Sequence, residues 1–304
     1  MKRETTVAYL ALIAICLIWG TTYLALRIAV QHFPPLLFTA IRQSIAGFLL
    51  LGFMFTFMKA KWPGKEHLFR QAIGGFLLIS IGNGLVAWAE MEIPSGIAAI
   101  ICSLMPVMVI LINLSVNREE RPTIPIVLGT LLGMAGIMLI FSEHLSEFSK
   151  AEYWIGIILI LFAIFGWAVG STWLKKQSPD SNAFVNAGLQ MLFGGLALYP
   201  FSLLFDDLTN VHWSPESFYP LVYLIIFGSI IGYASYLYAL KKLPITIVSL
   251  YAYVNPLVAV VLGWLILEEK LNGTIGLGIL ITVTGIYIVN QGYRFQRLRK
   301  VKLS

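Results

Sequence analysis

The chain has 304 residues, of which 58% are hydrophobic and 12% charged, with a net charge of +6 and a mean hydropathy of +0.82. A soluble domain averages about 25% charged residues, so this composition excludes an ordinary soluble globular protein. Ten apolar stretches account for nearly the whole length, at residues 7–27, 36–58, 71–90, 96–116, 123–141, 154–174, 183–205, 218–240, 245–267 and 273–292. Each is about the 20 residues a helix needs to cross hydrocarbon at 1.5 Å per residue. The predicted fold class is all-α and membrane-integral.

The first stretch follows Lys2-Arg3, as a signal peptide would. It runs past the usual length of such a segment and ends in Trp19-Gly20-Thr21-Thr22-Tyr23 with no small-residue cleavage pattern, so a retained helix is expected. The longest gaps, near 142–153 and 206–217, leave no room for an ATPase module. The basic residues are sorted by side. With the N-terminus placed inside and sides alternated, the inside segments hold Lys2, Arg3, Lys59, Lys61, Lys65, Arg70, Arg118, Arg121, Lys175, Lys176, Lys241, Lys242, Arg294, Arg297, Arg299, Lys300 and Lys302, which is 17 of the 21. Outside lie Arg27, Lys150 and Lys270, and Arg42 falls within a span. Cations resist translocation, so both termini are expected in the cytoplasm. The positive charge is then a topology signal, and no nucleic-acid partner is expected. The basic tail reads as an anchor near anionic lipid. Cys16 and Cys102 lie inside spans and read as packing residues. His32, His67, His144 and His212 are scattered without metal-ligand spacing, so no metal and no cofactor is expected.

The chain resembles itself. At an offset of 150, Gly82 aligns with Gly232, Ala89 with Ala239, Pro94 with Pro244 and Pro106 with Pro256. After a slip of one, Glu119-Glu120 aligns with Glu268-Glu269, Gly129 with Gly278 and Gly136 with Gly285. Earlier parts align at 148: Trp19 with Trp167, Arg27 with Lys175 and Gly47 with Gly195. The halves are residues 1–148 and 149–304. Five spans per half is an odd number, so the second copy is expected to enter the membrane from the opposite side. Such inverted repeats supply two near-equivalent packings, the physical basis of alternating access.

Two five-span copies, each with a proline in its fourth span, an acidic residue about 13 further on and a glycine-rich fifth span, resemble the EamA family of the drug/metabolite transporter superfamily. The stretches Gly82-Asn83-Gly84 to Ala89-Glu90, Pro94-Ser95-Gly96-Ile97-Ala98-Ala99 and Ser249-Leu250-Tyr251-Ala252-Tyr253-Val254-Asn255-Pro256 carry the likeness, which covers essentially the whole chain. The resemblance implies a ten-helix carrier in the bacterial inner membrane. It implies a central cavity walled mainly by spans 1, 3, 4, 6, 8 and 9, and export of amino acids, other metabolites or drugs without ATP. It does not name a substrate. Independently, no phosphate-binding loop is present: Gly64-Lys65 is followed by Glu66 and lacks the upstream glycine.

Polar groups inside hydrocarbon are costly unless they face a cavity or a partner. The candidate cavity-lining residues are Trp19, Tyr23, Asn83, Trp88, Glu90, Trp167, Tyr233, Tyr236, Tyr251 and Asn255. Glu90 extends the face of Asn83, Val86 and Ala87 at helical spacing and is suited to an ammonium group or a proton, and a proton as coupling partner rests on it alone. Flat rings with polar tips suit an amphipathic or cationic substrate, favouring amino acids or amphipathic amines over sugars. Aromatic residues also favour interfaces and packing, the reading preferred for Trp62, Trp154, Trp213 and Trp264. Arg42 either binds an acidic group or is a snorkelled or paired structural residue, and its repeat partner is Gln190. Pro106 and Pro256, in matching positions, are candidate hinges, since each removes a backbone hydrogen bond. Asn113, Ser103, Thr246 and Ser249 serve either backbone or substrate. Gly129, Gly133, Gly136, Gly278 and Gly285 have the spacing for close helix packing, with a dimer face as the alternative. Glu120 and Glu269 are expected to cap the helices that follow them. Two other function classes remain: an integral-membrane enzyme acting on lipid phosphates through Asp206-Asp207, and a scaffold or sensor. No sequence pattern assigns an oligomeric state.

Overall fold

The computed structural model describes residues 2–116, 122–177, 181–209, 211–267 and 272–303. All regular structure among them is helical. In chain order the helices are α1 (Lys2–Val30), α2 (Pro35–Thr56), α3 (Lys65–Glu92), α4 in two pieces (Ser95–Cys102 and Met105–Val116), α5 (Ile124–Ile140), α6 (Trp154–Gln177), α7 (Ala183–Phe205), α8 (Pro215–Lys242), α9 in two pieces (Ile245–Ser249 and Tyr251–Leu267) and α10 (Gly273–Leu303). Nine are long and apolar enough to span a bilayer, and α5, at 17 residues, is slightly shorter. The gap before α6, expected as loop, is wound into two short 3₁₀ segments at Ser142–Ser149 and Ala151–Tyr153. Arg118, Glu120, Arg121, Glu269 and Lys270 lie outside the described residues.

The outer surface is apolar. Phe57, Leu203, Leu204 and Ile124 are all more than 70% exposed, which fits a surface solvated by lipid tails rather than water. Trp62, Trp154, Trp213 and Trp264 are also on the outside, near helix ends. The interior carries the polar residues Arg42, Gln43, Gln71, Ser80, Glu90, Asn113, Gln190, Ser229 and Asn255, all buried.

The main helix pairings recur when each helix of α1–α5 is exchanged with the helix five places later. α2 packs on α7, α4 on α9 and α5 on α10; α1 packs on α8 and α9, as α6 does on α3 and α4. Glycine permits the close pairings of α5 with α10 and of α2 with α7. A Cβ at Gly285 of α10 would stand 2.5 Å from the backbone nitrogen of Gly133 in α5, and one at Gly47 of α2 would stand 2.7 Å from the Gly188 carbonyl of α7. Backbones approach this closely only where side chains are absent. The glycines of α5 and α10 thus pack inside the bundle.

One end of the bundle gathers several of the positions assigned to the inside. Lys242 bridges to Glu4 at 3.1 Å, Lys175 donates to the Leu243 carbonyl at 2.5 Å, Lys241 donates to the Ser181 carbonyl at 2.6 Å, and His67 bonds Asn186 at 2.8 Å. At the other end, Asp206 follows α7 and accepts the backbone N–H groups of Leu36 (3.3 Å) and Leu37 (2.7 Å). It supplies from another helix the cap that Pro34 cannot give α2.

Two features depart from straight spans. The stretches Phe76–Gly84 of α3 and Leu224–Tyr233 of α8 are π-helical, with i→i+5 bonding, and occupy corresponding places in the two halves. Helices α4 and α9 are interrupted, at Ser103-Leu104 and at Leu250. The break in α4 falls just ahead of Pro106, whereas Pro256 lies inside the continuous piece Tyr251–Leu267, six residues after the break in α9. Pro106 has no N–H for the Cys102 carbonyl and its ring crowds the preceding turn, so the new helix begins at Met105. At each break a serine turns back on the chain: Ser103 donates to the Ile100 carbonyl (2.6 Å) and Ser249 to that of Thr246 (2.9 Å).

Candidate functional site

A central cavity lies among the helices of both halves. Its wall takes Trp19 and Tyr23 from α1, Arg42 and Gln43 from α2, Gly82, Asn83 and Val86 from α3, Cys102 and Met105 from α4, Ala163, Ile164 and Trp167 from α6, Gly228 and Tyr233 from α8, and Tyr251, Ala252 and Asn255 from α9. The six helices that the family resemblance implied are all present. The unexpected contributor is α2, and it brings in Arg42.

The aromatic wall is a continuous cluster. Trp19 meets Trp167 edge to face with centroids 5.6 Å apart, and meets Tyr251 in the same way at 5.0 Å. Tyr236 packs against Trp19, Trp167 and Tyr251 from behind, at 5.3–5.9 Å. The polar tips are bonded. Trp19 donates from Nε1 to the Gly228 carbonyl (3.0 Å), and Trp167 donates from Nε1 to the Tyr236 hydroxyl (2.9 Å), which also meets Ser171 (2.6 Å). Tyr233 donates to Gln190 Oε1 (2.5 Å), and Gln190 Nε2 donates to Gln71 Oε1 (2.5 Å), so a buried relay ties α8, α7 and α3 together. These bonds hold the rings in fixed orientations, because buried polar groups without partners are costly. With its amide oriented to donate, Asn255 reaches the carbonyls of Cys16 (3.2 Å) and Tyr251 (3.0 Å). It therefore links α9 to α1 and serves the backbone. Asn83 Nδ2 similarly donates to the Leu78 carbonyl, at 3.3 Å.

Of the ten residues expected to line a cavity, seven border it: Trp19, Tyr23, Asn83, Trp167, Tyr233, Tyr251 and Asn255. Three do not. Tyr236 forms the layer behind the wall. Trp88 points to another part of the bundle, where it stacks on Phe205 at 5.4 Å and packs beside Leu36, Ala40 and Leu198. Five residues beyond Asn83, it is turned roughly 140° around the helix. Glu90 shares the Asn83 face but sits seven residues on, about 10 Å further along α3. It is 3% exposed, and neither carboxylate oxygen has a hydrogen-bond partner. The opposing charge that reaches it is that of Arg27, which donates to the Ile93 carbonyl at 3.4 Å.

A second cavity adjoins the first and shares Tyr23, Cys102, Ala252 and Asn255 with it. Ala99, Phe141, His144, Pro256, Ala259 and Val260 complete its wall. Pro256 thus faces this space, while Pro106 borders neither cavity. Asn113 is buried with both amide atoms unpartnered and also borders neither. Cys16 and Cys102 are free thiols. No cluster of histidine, cysteine or carboxylate suited to a metal occurs among the described residues. Asp206 is engaged as the cap of α2, and Asp207 bonds the N–H (3.0 Å) and hydroxyl (2.7 Å) of Thr209. The Thr209 hydroxyl holds the Asp207 carboxyl below its ordinary pKa.

Sequence comparison matches the model of the EamA-like transporter family twice in this chain, at residues 6–142 and 154–291. A protein named "Uncharacterized inner membrane transporter YedA", from Escherichia coli (strain K12), is 32% identical over 292 residues, covering 95% of this chain and 92% of the relative. "Protein PecM" of Dickeya dadantii (strain 3937) is 28% identical over 287 residues, covering 94% and 93%. A crystal structure of another protein superposes with a TM-score of 0.78 at 19% identity, covering 95% of this chain and 98% of that one, a likeness of fold.

Proposed function

The chain belongs to the EamA-like transporter family, and from that premise we propose that it is a secondary carrier moving small amphipathic metabolites, amino acids or related compounds, or drugs, out across the inner membrane by alternating access. The observation that carries this reading is the central cavity. It is walled by both halves, its aromatic rings are fixed by hydrogen bonds, and it adjoins a second cavity across Tyr23, Cys102, Ala252 and Asn255.

In this reading the halves 1–148 and 149–304 are inverted repeats, and the exchange of helix contacts between them supports that assignment. Two such halves have two packings of similar energy, one opening the cavity to each side. Tyr23 and its neighbours form the partition towards the second cavity. The breaks before Pro106 and Pro256 are the hinges, because interrupted backbone absorbs rotation without losing a full helical ladder. The end bearing Glu4, Lys242 and Lys175 faces the cytoplasm, with both termini, in keeping with the concentration of basic residues there. Glu90, buried without a partner, is the group that exchanges a proton. Transport then runs on an ion gradient.

The test is flux in proteoliposomes, with a panel of amino acids and amphipathic compounds, with and without a pH gradient. Saturable flux stimulated by the gradient and weakened in Glu90→Gln is the expected result. Saturable flux indifferent to both removes the proton from the mechanism and leaves the carrier. No saturable flux of any compound removes the carrier reading itself.

A further inference from the structure

We propose that the central cavity recognises a carboxylate through Arg42, so that the carried compound is an amphipathic organic anion or zwitterion and not a simple amine. This deepens the reading of the cavity as the substrate site and rests on it.

Arg42 is the one charged side chain among the residues that border the cavity. It is 6% exposed and lies within a span. Its Nε donates to the Ser229 hydroxyl at 2.9 Å, which ties the base of the guanidinium to α8. Room for the group is provided by Gly228, where a Cβ would stand 2.9 Å from Arg42 Nη2. Among the described residues no carboxylate forms an ion pair with it.

A guanidinium carries five N–H donors in a planar fork. Ser229 accepts from one of them. A lone cation in a low-dielectric interior is costly until a counter-charge arrives, and a carboxylate satisfies the free edge of the fork with two parallel hydrogen bonds. Beside it, Gln43 is 1% exposed and its Oε1 has no hydrogen-bond partner. That oxygen can accept an N–H or O–H carried next to the carboxylate. The rest of the wall (Trp19, Trp167, Tyr251, Ile164 and Met105) suits an apolar or aromatic body.

The one formal charge an ammonium group would meet on this wall is the like charge of Arg42. Glu90, the other buried charged residue, is not among those that border this cavity. Arg42 therefore acts as a specificity-determining residue for the head group, and Ser229 positions it.

The experiment titrates the full-length protein in nanodiscs with three matched probes: 3-phenylpropionate, 3-phenylpropionamide and phenethylamine. Binding is read by quenching of tryptophan fluorescence and by calorimetry. The acid is expected to bind about tenfold or more tighter than the amide, and the amine weakest. In Arg42→Gln the preference for acid over amide falls to about one, and Arg42→Lys restores part of it, because a point charge replaces the fork. Equal affinity for acid and amide in the wild type, or tighter binding of the amine, overturns the proposal and leaves the cavity reading standing. Binding of none of the three overturns both. If Arg42→Gln does not fold, the wild-type ratio of acid to amide still decides the matter.

Discussion

The indole of Trp19 occupies the space that a side chain at Gly232 would need: a Cβ there would stand 2.5 Å from Trp19 Nε1. The relation is repeated between the halves, since a Cβ at Gly82 would stand 2.6 Å from the ring of Trp167. Trp19 aligns with Trp167 and Gly82 with Gly232, so each half contributes a tryptophan to the cavity and the glycine that seats its counterpart.

Gly82→Ala and Gly232→Ala are therefore expected to push a cavity indole off its hydrogen bond. Overpacking of this kind costs about 1–3 kcal/mol, and flux per folded molecule should fall several-fold. Gly276→Ala, where nothing lies within 4 Å of the added methyl, should be neutral or stabilising by up to about 1 kcal/mol, as alanine is the better helix former. Thermal midpoints of the detergent-solubilised variants, together with reconstituted flux, check this. Equal behaviour of all three would show that the glycines do not seat the rings.

Tyr233→Phe removes the donor to Gln190 Oε1 and leaves a buried acceptor unsatisfied. A cost of about 1–3 kcal/mol is expected. Gln190→Leu alone removes both this acceptor and the donor to Gln71 Oε1, so in the Tyr233→Phe background it should cost less than it does in the wild type. A double-mutant cycle measured by thermal or denaturant unfolding gives the coupling, and simple additivity would mean the relay does not act as a unit.

Asp206→Ala takes away the anion at the start of α2 and should cost about 0.5–2 kcal/mol, the range for loss of a helix cap. Transport by the folded fraction should be unchanged. Loss of a catalytic activity towards lipid phosphates in this variant, with the fold intact, would instead support an enzyme.

Cys102 borders both cavities and Cys16 borders neither. A small methanethiosulfonate reagent should modify Cys102 and spare Cys16, and modification should reduce flux. Mass spectrometry of the labelled protein reads the site directly. Labelling at Cys16 first would contradict the described position of the cavity wall.

Much of this molecule was legible before any coordinates. Apolar length dictated the ten helices, because hydrocarbon thickness and the rise per residue leave little choice. The glycine spacing in the fifth and tenth spans indicated close packing, and the helices do meet there. The face of α3 bearing Asn83 and Val86 was also readable from helical periodicity, and both residues border the cavity.

Periodicity states which way a residue points, not how deep it lies or what stands opposite. Glu90 lies on the face that periodicity predicts, but four residues, about 6 Å, beyond Val86, the last residue of α3 to border the cavity. Trp88 was grouped with the cavity because it is aromatic and lies in the right span, yet it faces Phe205. The role of Arg42 could not be decided from α2 alone: whether the cation is paired depends on α8, which brings Ser229 and the bare Gly228 to it from 187 residues away. By itself, then, the sequence determined the medium, the number of helices and the likeness of the two halves, all of which follow from local composition and spacing. Only the tertiary structure decided which polar groups are bonded, which are left open and which of them share one cavity, because those are relations between helices that no single helix encodes.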